Sequence, residues 1–146
     1  MLQQADAALL IGDPALLAIE HRSAIEERVG PCQWFDIAHE WTTRTNLPWV
    51  AAVWAIRPEA LTESHVSAAT ITRDLIGSRD HGLAHIEDLV TEWAPRLGLP
   101  PTTVRDYLSV NIHYTLSDQC VEAIRLFRSY AAELEVLPPL PNLRFL

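Results

Sequence analysis

The amino-acid sequence predicts an α/β fold, and three observations support this. The chain has 146 residues, which is enough for one domain with a buried core. Residues 6–11 and 49–56 are apolar on both faces that a strand would present, which is typical of strands in a sheet covered on both sides. From residue 61 onward, apolar residues recur at helical spacing.

The first predicted strand leads into a polar loop and then a helix. Residues 6–11 are followed by Gly12, Asp13 and Pro14, which break the strand. Asp13 before Pro14 fits a helix N-cap with proline at the first helical position, so a short helix is predicted over residues 15–20. Ligand-binding groups of α/β sheets lie at the carboxyl ends of strands, which makes Gly12 and Asp13 candidate cleft residues.

The second strand follows a second helix, and the rest of the chain is predicted to be helical. Asp36 is the predicted N-cap of the helix in "DIAHEWTTRT", and "LPWVAAVWAIRP" contains the strand. Thr62 is predicted to cap a segment that stops at Gly77, and a further helix should end at Gly98. The predicted caps of two more helices are Thr102 and Ser117. The tail "VLPPLPNLRFL" is too rich in proline for a helix.

Composition limits the partners that the chain can have. The net charge of −8 argues against nucleic-acid phosphates and anionic membranes. All eleven basic residues are arginines, so Schiff-base and P-loop lysines are excluded. An anion would therefore be held by arginine, backbone N–H groups and hydroxyls. No apolar run approaches the roughly 18 residues of a membrane span. Because a signal-peptide pattern is also lacking, we expect a cytoplasmic protein.

Few side chains form a pattern with recognisable chemistry. His81 and His85 are four residues apart, which places two imidazoles on one helical face. Two ligands alone rarely make a zinc site, so the sequence predicts no metal site. His113 is interpreted as a hydrogen-bonded core histidine, and Cys32 and Cys120 as two buried thiols. No nucleophile motif is present, so the catalytic residues stay unknown.

Two motifs together resemble a known family. The segments "ADAALLIGDPAL" and "FDIAHEWTTRTNLPWVAAVWAIRPE" are similar to the menaquinone-biosynthesis enzymes of the futalosine pathway, specifically the chorismate dehydratases. Their pattern is roughly D-A-x-L-L-I-G-D-x-A-L, then D-L-x-x-x-W-x-x-x-T-G-L-P-F-V-x-A-x-W. This chain has Ile37, Asn46 and Trp49 where the pattern has Leu, Gly and Phe. A sister enzyme of the pathway carries a histidine at the place of Gly12, so Gly12 with Asp13 favours the dehydratase.

The resemblance implies a fold and a reaction. The fold would be that of type II periplasmic binding proteins, present in part. Residues 1–56 would be part of the second α/β lobe with its crossover strand, and residues 57–146 a helical segment that packs back on the first lobe. The reaction would be loss of water from chorismate to give 3-enolpyruvyl-oxybenzoate, a hydro-lyase reaction that aromatisation drives without a cofactor. Family members are about twice as long, so we expect this chain alone to be inactive and to self-associate through an exposed apolar face.

Three residues are expected to contact the anionic substrate, namely Gly12, Asp13 and Trp49. For Asp13 the alternative is a purely capping role. For Trp49 the alternatives are a flat wall for the substrate ring and packing in the core, and core packing is favoured because tryptophan buries a large area. Two other functions stay open. One is the sister lyase of the futalosine pathway, and the other is a non-catalytic solute-binding-like module for a small anionic ligand, since this fold hosts both classes.

Overall fold

The computed structural model describes residues 5–138 and 143–145, so the predicted proline-rich tail lies partly outside the described residues. Within them the chain forms α-helices joined by short connections, and a π-helical turn at Tyr107–Asn111 continues the seventh helix. The helices are α1 (Asp13–Glu20), α2 (Arg22–Val29), α3 (Ile37–Thr45), α4 (Pro58–Ser64), α5 (Ala68–Ala84), α6 (Ile86–Leu97), α7 (Pro101–Asp106) and α8 (Asp118–Glu133).

The residues that the structure describes contain no β-strand. The prediction of an α/β fold, and with it the partial type II periplasmic-binding-protein-like architecture, is therefore wrong for them. Residues 6–11 and 49–56 have no regular secondary structure, and Ile11 and Trp54 are 76% and 84% exposed. An apolar pattern indicates which faces of a strand would be covered, but a strand also needs a neighbour that pairs with its N–H and C=O groups. No described segment supplies that neighbour.

The chain divides into two compact units. Unit 1 consists of Met1–Trp34 and His81–His113, and unit 2 consists of Phe35–Asp80 and Tyr114–Leu146. The predicted division between residues 56 and 57 stays a prediction.

The core of unit 1 lies where α6 meets α7. Val90 and Ala94 of α6 are buried together with Leu99 and Val104, and leucines of α1 pack against this cluster. Gly98 ends α6 in the left-handed conformation, with φ of 66°, and its N–H group bonds to the carbonyl of Ala94. This conformation favours glycine, and the predicted end of the helix at Gly98 is confirmed.

Unit 2 contains two helices whose predicted caps are confirmed. The Asp36 carboxylate accepts hydrogen bonds from the N–H groups of Ala38 and His39, at 2.9 and 3.2 Å, and begins α3. The Ser117 hydroxyl accepts from the N–H of Cys120 at 3.3 Å and begins α8. Both caps satisfy backbone donors that the first turn of a helix leaves without an intrahelical partner.

Two other predicted caps are wrong. Thr62 lies inside α4, which begins at a proline and ends where His65 adopts the left-handed conformation. The Ser67 hydroxyl instead accepts from the N–H of Thr70 at 3.1 Å and precedes α5. That helix continues through Gly77, and Thr102 likewise lies inside α7. Proline at a first helical position, as in α4 and α7, marks a helix start more strongly than a nearby threonine.

Candidate functional site

Gly12 and Asp13 form the entry to α1. Gly12 has φ of 68° and precedes the helix, and its carbonyl accepts a hydrogen bond from the N–H of Ala15 at 2.9 Å. This positive φ favours glycine because a Cβ atom would strain the backbone. Asp13 is the first residue of the helix and makes no capping hydrogen bond, so its predicted role as the N-cap is wrong by one residue. Its carboxylate is exposed and positioned by the first turn.

Asp13 lines a groove of about 260 Å³ in unit 1. Apolar side chains form most of the lining, including Leu89, Trp93 and Leu97 along one face of α6, and Tyr107 provides a phenol. None of the arginines that the structure describes lines it. An apolar cleft with a few polar groups is the usual setting for a small-molecule site. The groove can therefore accommodate a ring and a hydroxyl group, whereas a substrate carboxylate would need a cation from elsewhere.

An ion pair joins two of the helices that line this groove. The Arg105 Nε and Nη2 atoms of α7 donate to the two carboxylate oxygens of Glu87 in α6, at 2.6 and 2.7 Å. The hydrogen bonds from Arg105 are the largest cause that holds the pKa of Glu87 below its ordinary value. The same pairing raises the pKa of Arg105. Sequence reasoning missed this pair because its members are 18 residues apart and no local pattern connects them.

Trp49 lies in unit 2, as part of a group of rings that we call the aromatic cluster, comprising Trp41, Trp49, Phe127 and Tyr130. The Trp49 ring centroid is 5.7 Å from that of Trp41 and 5.6 Å from that of Phe127, with edge-to-face geometry in both pairs. The structure thus places Gly12 and Asp13 in one unit and Trp49 in the other. Sequence reasoning selected Trp49 but missed the cluster, although Phe127 and Tyr130 are spaced three apart on α8, as neighbours on one helical face are.

The histidines and cysteines do not gather into a larger group. The ring centroids of His81 and His85 are 4.1 Å apart, and both residues are exposed. Within residues 5–138 and 143–145 no set of three or more His, Cys, Asp or Glu side chains is placed to hold a metal ion. His113 is exposed, so its interpretation as a core histidine is wrong. Cys32 and Cys120 are free thiols, but they are half-buried rather than buried.

None of the described helices combines the length and the apolar character that crossing a bilayer requires.

Comparison with known proteins identifies the family. The family model described as "Menaquinone biosynthesis" matches residues 1–133. The chain is similar to the chorismate dehydratase of Thermus thermophilus, with 32% identity over 126 residues that cover 81% of this chain and 44% of the relative. The chain therefore spans less than half the length of that relative, and no solved structure matches it significantly. The resemblance predicted from the two motifs is confirmed. The chain belongs to the menaquinone-biosynthesis family.

Proposed function

We propose that this chain is part of a hydro-lyase that removes water from chorismate in menaquinone biosynthesis, with 3-enolpyruvyl-oxybenzoate as the product. The observation that carries the proposal is the family match over residues 1–133, together with the 32% identity to a chorismate dehydratase. Because the chain spans 44% of that relative, the activity belongs to a polypeptide of the relative's length. The chain by itself is proposed to be inactive.

The reaction makes specific demands on the protein. Chorismate carries two carboxylates, a ring hydroxyl and an enolpyruvyl ether. The C–O bond of the hydroxyl and a neighbouring ring C–H bond break, the two groups leave together as one water molecule, and the ring becomes aromatic. No electrons are exchanged with another molecule, so no redox cofactor is needed. The enzyme must orient the ring, hold both carboxylates and assist the departure of the hydroxyl group.

Asp13 is the residue of this chain that we assign to the substrate. Asp13 lines the groove, and its exposed carboxylate is not occupied in capping α1. A carboxylate accepts hydrogen bonds, so it suits the ring hydroxyl of chorismate and would repel the substrate carboxylates. The apolar lining from α6 suits the ring itself. We therefore propose that Asp13 orients the bound ring through its hydroxyl group, while cations outside the groove hold the carboxylates.

Gly12 and Trp49 stay predictions as substrate contacts. The positive φ of Gly12 sets the direction in which the chain enters α1 and thereby the position of Asp13. The ring contacts of Trp49 with Trp41 and Phe127 agree with the packing alternative.

The assignment of Asp13 is tested by Asp13→Asn in a family member of full length that carries this segment. Asp118→Asn is a matched control, because Asp118 is likewise an exposed acidic residue at the first position of a helix, α8. Both changes remove a charge that interacts with a helix dipole, so each should cost about 0.3–1 kcal/mol of stability. We expect Asp13→Asn to lower kcat for chorismate at least about tenfold, which corresponds to roughly 1.4 kcal/mol.

The result for Asp118→Asn decides the interpretation. We expect its kcat to remain that of the unchanged enzyme. If Asp13→Asn retains full turnover, or if the two variants lose turnover equally, the groove is not the place where the hydroxyl is oriented. If turnover is normal in all forms of the enzyme except Asp13→Asn, the role of Asp13 is specific to the substrate.

Two further properties are proposed for the isolated chain. Its apolar segments are exposed, with Leu9 at 64%, Ile11 at 76% and Trp54 at 84%. Exposed apolar surface of this kind drives association, so we propose that isolated copies self-associate through it. The net charge of −8 supports the proposal that neither nucleic acid nor an anionic membrane is a partner. We also propose a cytoplasmic location.

A further inference from the structure

Two histidines face each other where α5 passes into α6. His81 lies in the last turn of α5, and His85 immediately precedes α6. Their ring centroids are 4.1 Å apart with an interplanar angle of 32°, and both residues are exposed. The proposed dehydration makes no use of either ring.

The hydrogen bond of His85 favours one tautomer of its neutral ring. Its Nδ1 atom lies 2.7 Å from the carbonyl oxygen of His81. A carbonyl oxygen only accepts, so Nδ1 carries the hydrogen and the Nε2 atom of the neutral ring keeps its lone pair. Histidines that bind metal ions are oriented in this way, with one ring nitrogen donating to a carbonyl and the other facing the metal.

The two rings lie near enough to bind one ion once they rotate. Imidazole nitrogens bind such ions at about 2.0–2.1 Å, so the centroids of two rings on one tetrahedral ion lie roughly 5 Å apart. The centroids of His81 and His85 are 4.1 Å apart with an interplanar angle of 32°, so the two exposed rings must turn apart about their side-chain bonds for each to place one nitrogen on the ion. We propose that His81 and His85 bind one divalent first-row transition-metal ion, with water in the other coordination positions.

The ligand set defines the class of ion and the strength of binding. Imidazole favours copper, nickel and zinc, and the general order of affinity places Cu²⁺ above the other two. Since no third protein ligand is placed nearby among the described residues, the site is weaker than a closed structural zinc site. A bound ion would link the last turn of α5 to the residue that begins α6, and would therefore stabilise this junction.

The site is tested by titrating the chain with Cu²⁺ and measuring affinity by calorimetry and the nitrogen ligands by electron paramagnetic resonance. Removal of either ring, in His81→Ala or His85→Ala, should weaken binding at least about tenfold, since even outer-shell changes cost that much. His39→Ala is the control, because His39 is an exposed histidine on α3 without another histidine four residues away. Its affinity should equal that of the unchanged chain.

Each outcome decides the proposal. Two nitrogen ligands in the unchanged chain, and a selective loss of affinity in the two junction variants, would support it. Equal affinity in all four proteins would overturn it, as would the lack of a one-to-one complex in the unchanged chain. Far-UV circular dichroism of the variants should be unchanged, because both side chains are exposed and alanine favours a helix. A loss of helix in a variant that still binds Cu²⁺ normally would also contradict the proposal.

Discussion

Trp41 is the ring around which the aromatic cluster of unit 2 is arranged. Its centroid lies 5.7 Å from that of Trp49, 6.0 Å from that of Phe127 and 6.3 Å from that of Tyr130, all with edge-to-face geometry. Its indole N–H also donates to the carbonyl oxygen of Pro48 at 3.1 Å. Replacing Trp41 should therefore reduce the stability of this unit more than replacing any exposed tryptophan.

These contacts set the size of the loss in stability. An edge-to-face pair contributes about 0.5–1.5 kcal/mol beyond the area that it buries. A neutral hydrogen bond contributes about 1 kcal/mol. Because Trp41 is only half-buried, we expect Trp41→Ala to lower the free energy of unfolding by about 3 kcal/mol, at the lower end for tryptophan truncations. Trp41→Phe keeps a ring but loses the N–H donor, so about 1 kcal/mol is expected for it.

The assay is urea unfolding of the 146-residue chain, followed by far-UV circular dichroism. Thr43→Ala is the control, because Thr43 is an exposed residue of the same helix as Trp41 and its replacement should change stability by less than about 0.5 kcal/mol at the same protein concentration. The near-UV signal of the aromatic cluster should be lost in Trp41→Ala and persist in Thr43→Ala. If the two alanine variants unfold at the same urea concentration, the cluster does not stabilise unit 2.

Two more predictions concern the ion pair of unit 1 and the chain as a whole. Carbon-13 NMR titration should show that Arg105→Gln raises the pKa of Glu87 back toward its ordinary value. Because the pKa of Glu87 is lowered in the folded chain, the ion pair contributes stability above the unfolded-state pKa, and this stability is lost as pH falls through the folded-state pKa. An identical titration curve for Glu87 in the variant would refute the pairing. In size-exclusion chromatography the isolated chain should elute as larger than a monomer and should leave chorismate unconverted. A monomer that unfolds cooperatively, or one that dehydrates chorismate, would contradict the proposed dependence on a longer polypeptide.

The correct sequence predictions share a physical property, which is that their causes are local. The caps at Asp36 and Ser117 use N–H groups two or three residues away, and the stop at Gly98 depends on the φ of that residue. The sequence therefore contains both partners of each interaction within one turn. The family motifs could likewise be recognised because each is a short continuous segment of the chain.

The wrong or missed features depend on distant residues. Residues 6–11 and 49–56 have the composition of covered strands, but pairing requires neighbours that no local pattern reveals. The Glu87–Arg105 ion pair and the contact of Trp41 with Phe127 likewise connect residues far apart in sequence. In the candidate site the loop at Gly12 and Asp13 is correctly predicted as the entry to a helix. The groove beside it could not be predicted, because α6, α7 and the π-helical turn supply most of its lining.

The π-helical turn at Tyr107–Asn111 has a consequence for how relatives of this chain align. Its closing bond runs from the N–H of Ile112 to the carbonyl of Tyr107, at 3.2 Å, so this turn holds one residue more than an α-helical turn. A relative that lacks one residue here would end the helix with ordinary α-helical hydrogen bonds, and the loss would appear as a single gap in its last turn. A gap before Leu108 would also rotate the residues that follow it by about 100° around the helix axis, carrying the position of Leu108 away from the groove wall. The number of residues in this turn therefore affects the shape of the groove even where no residue type changes.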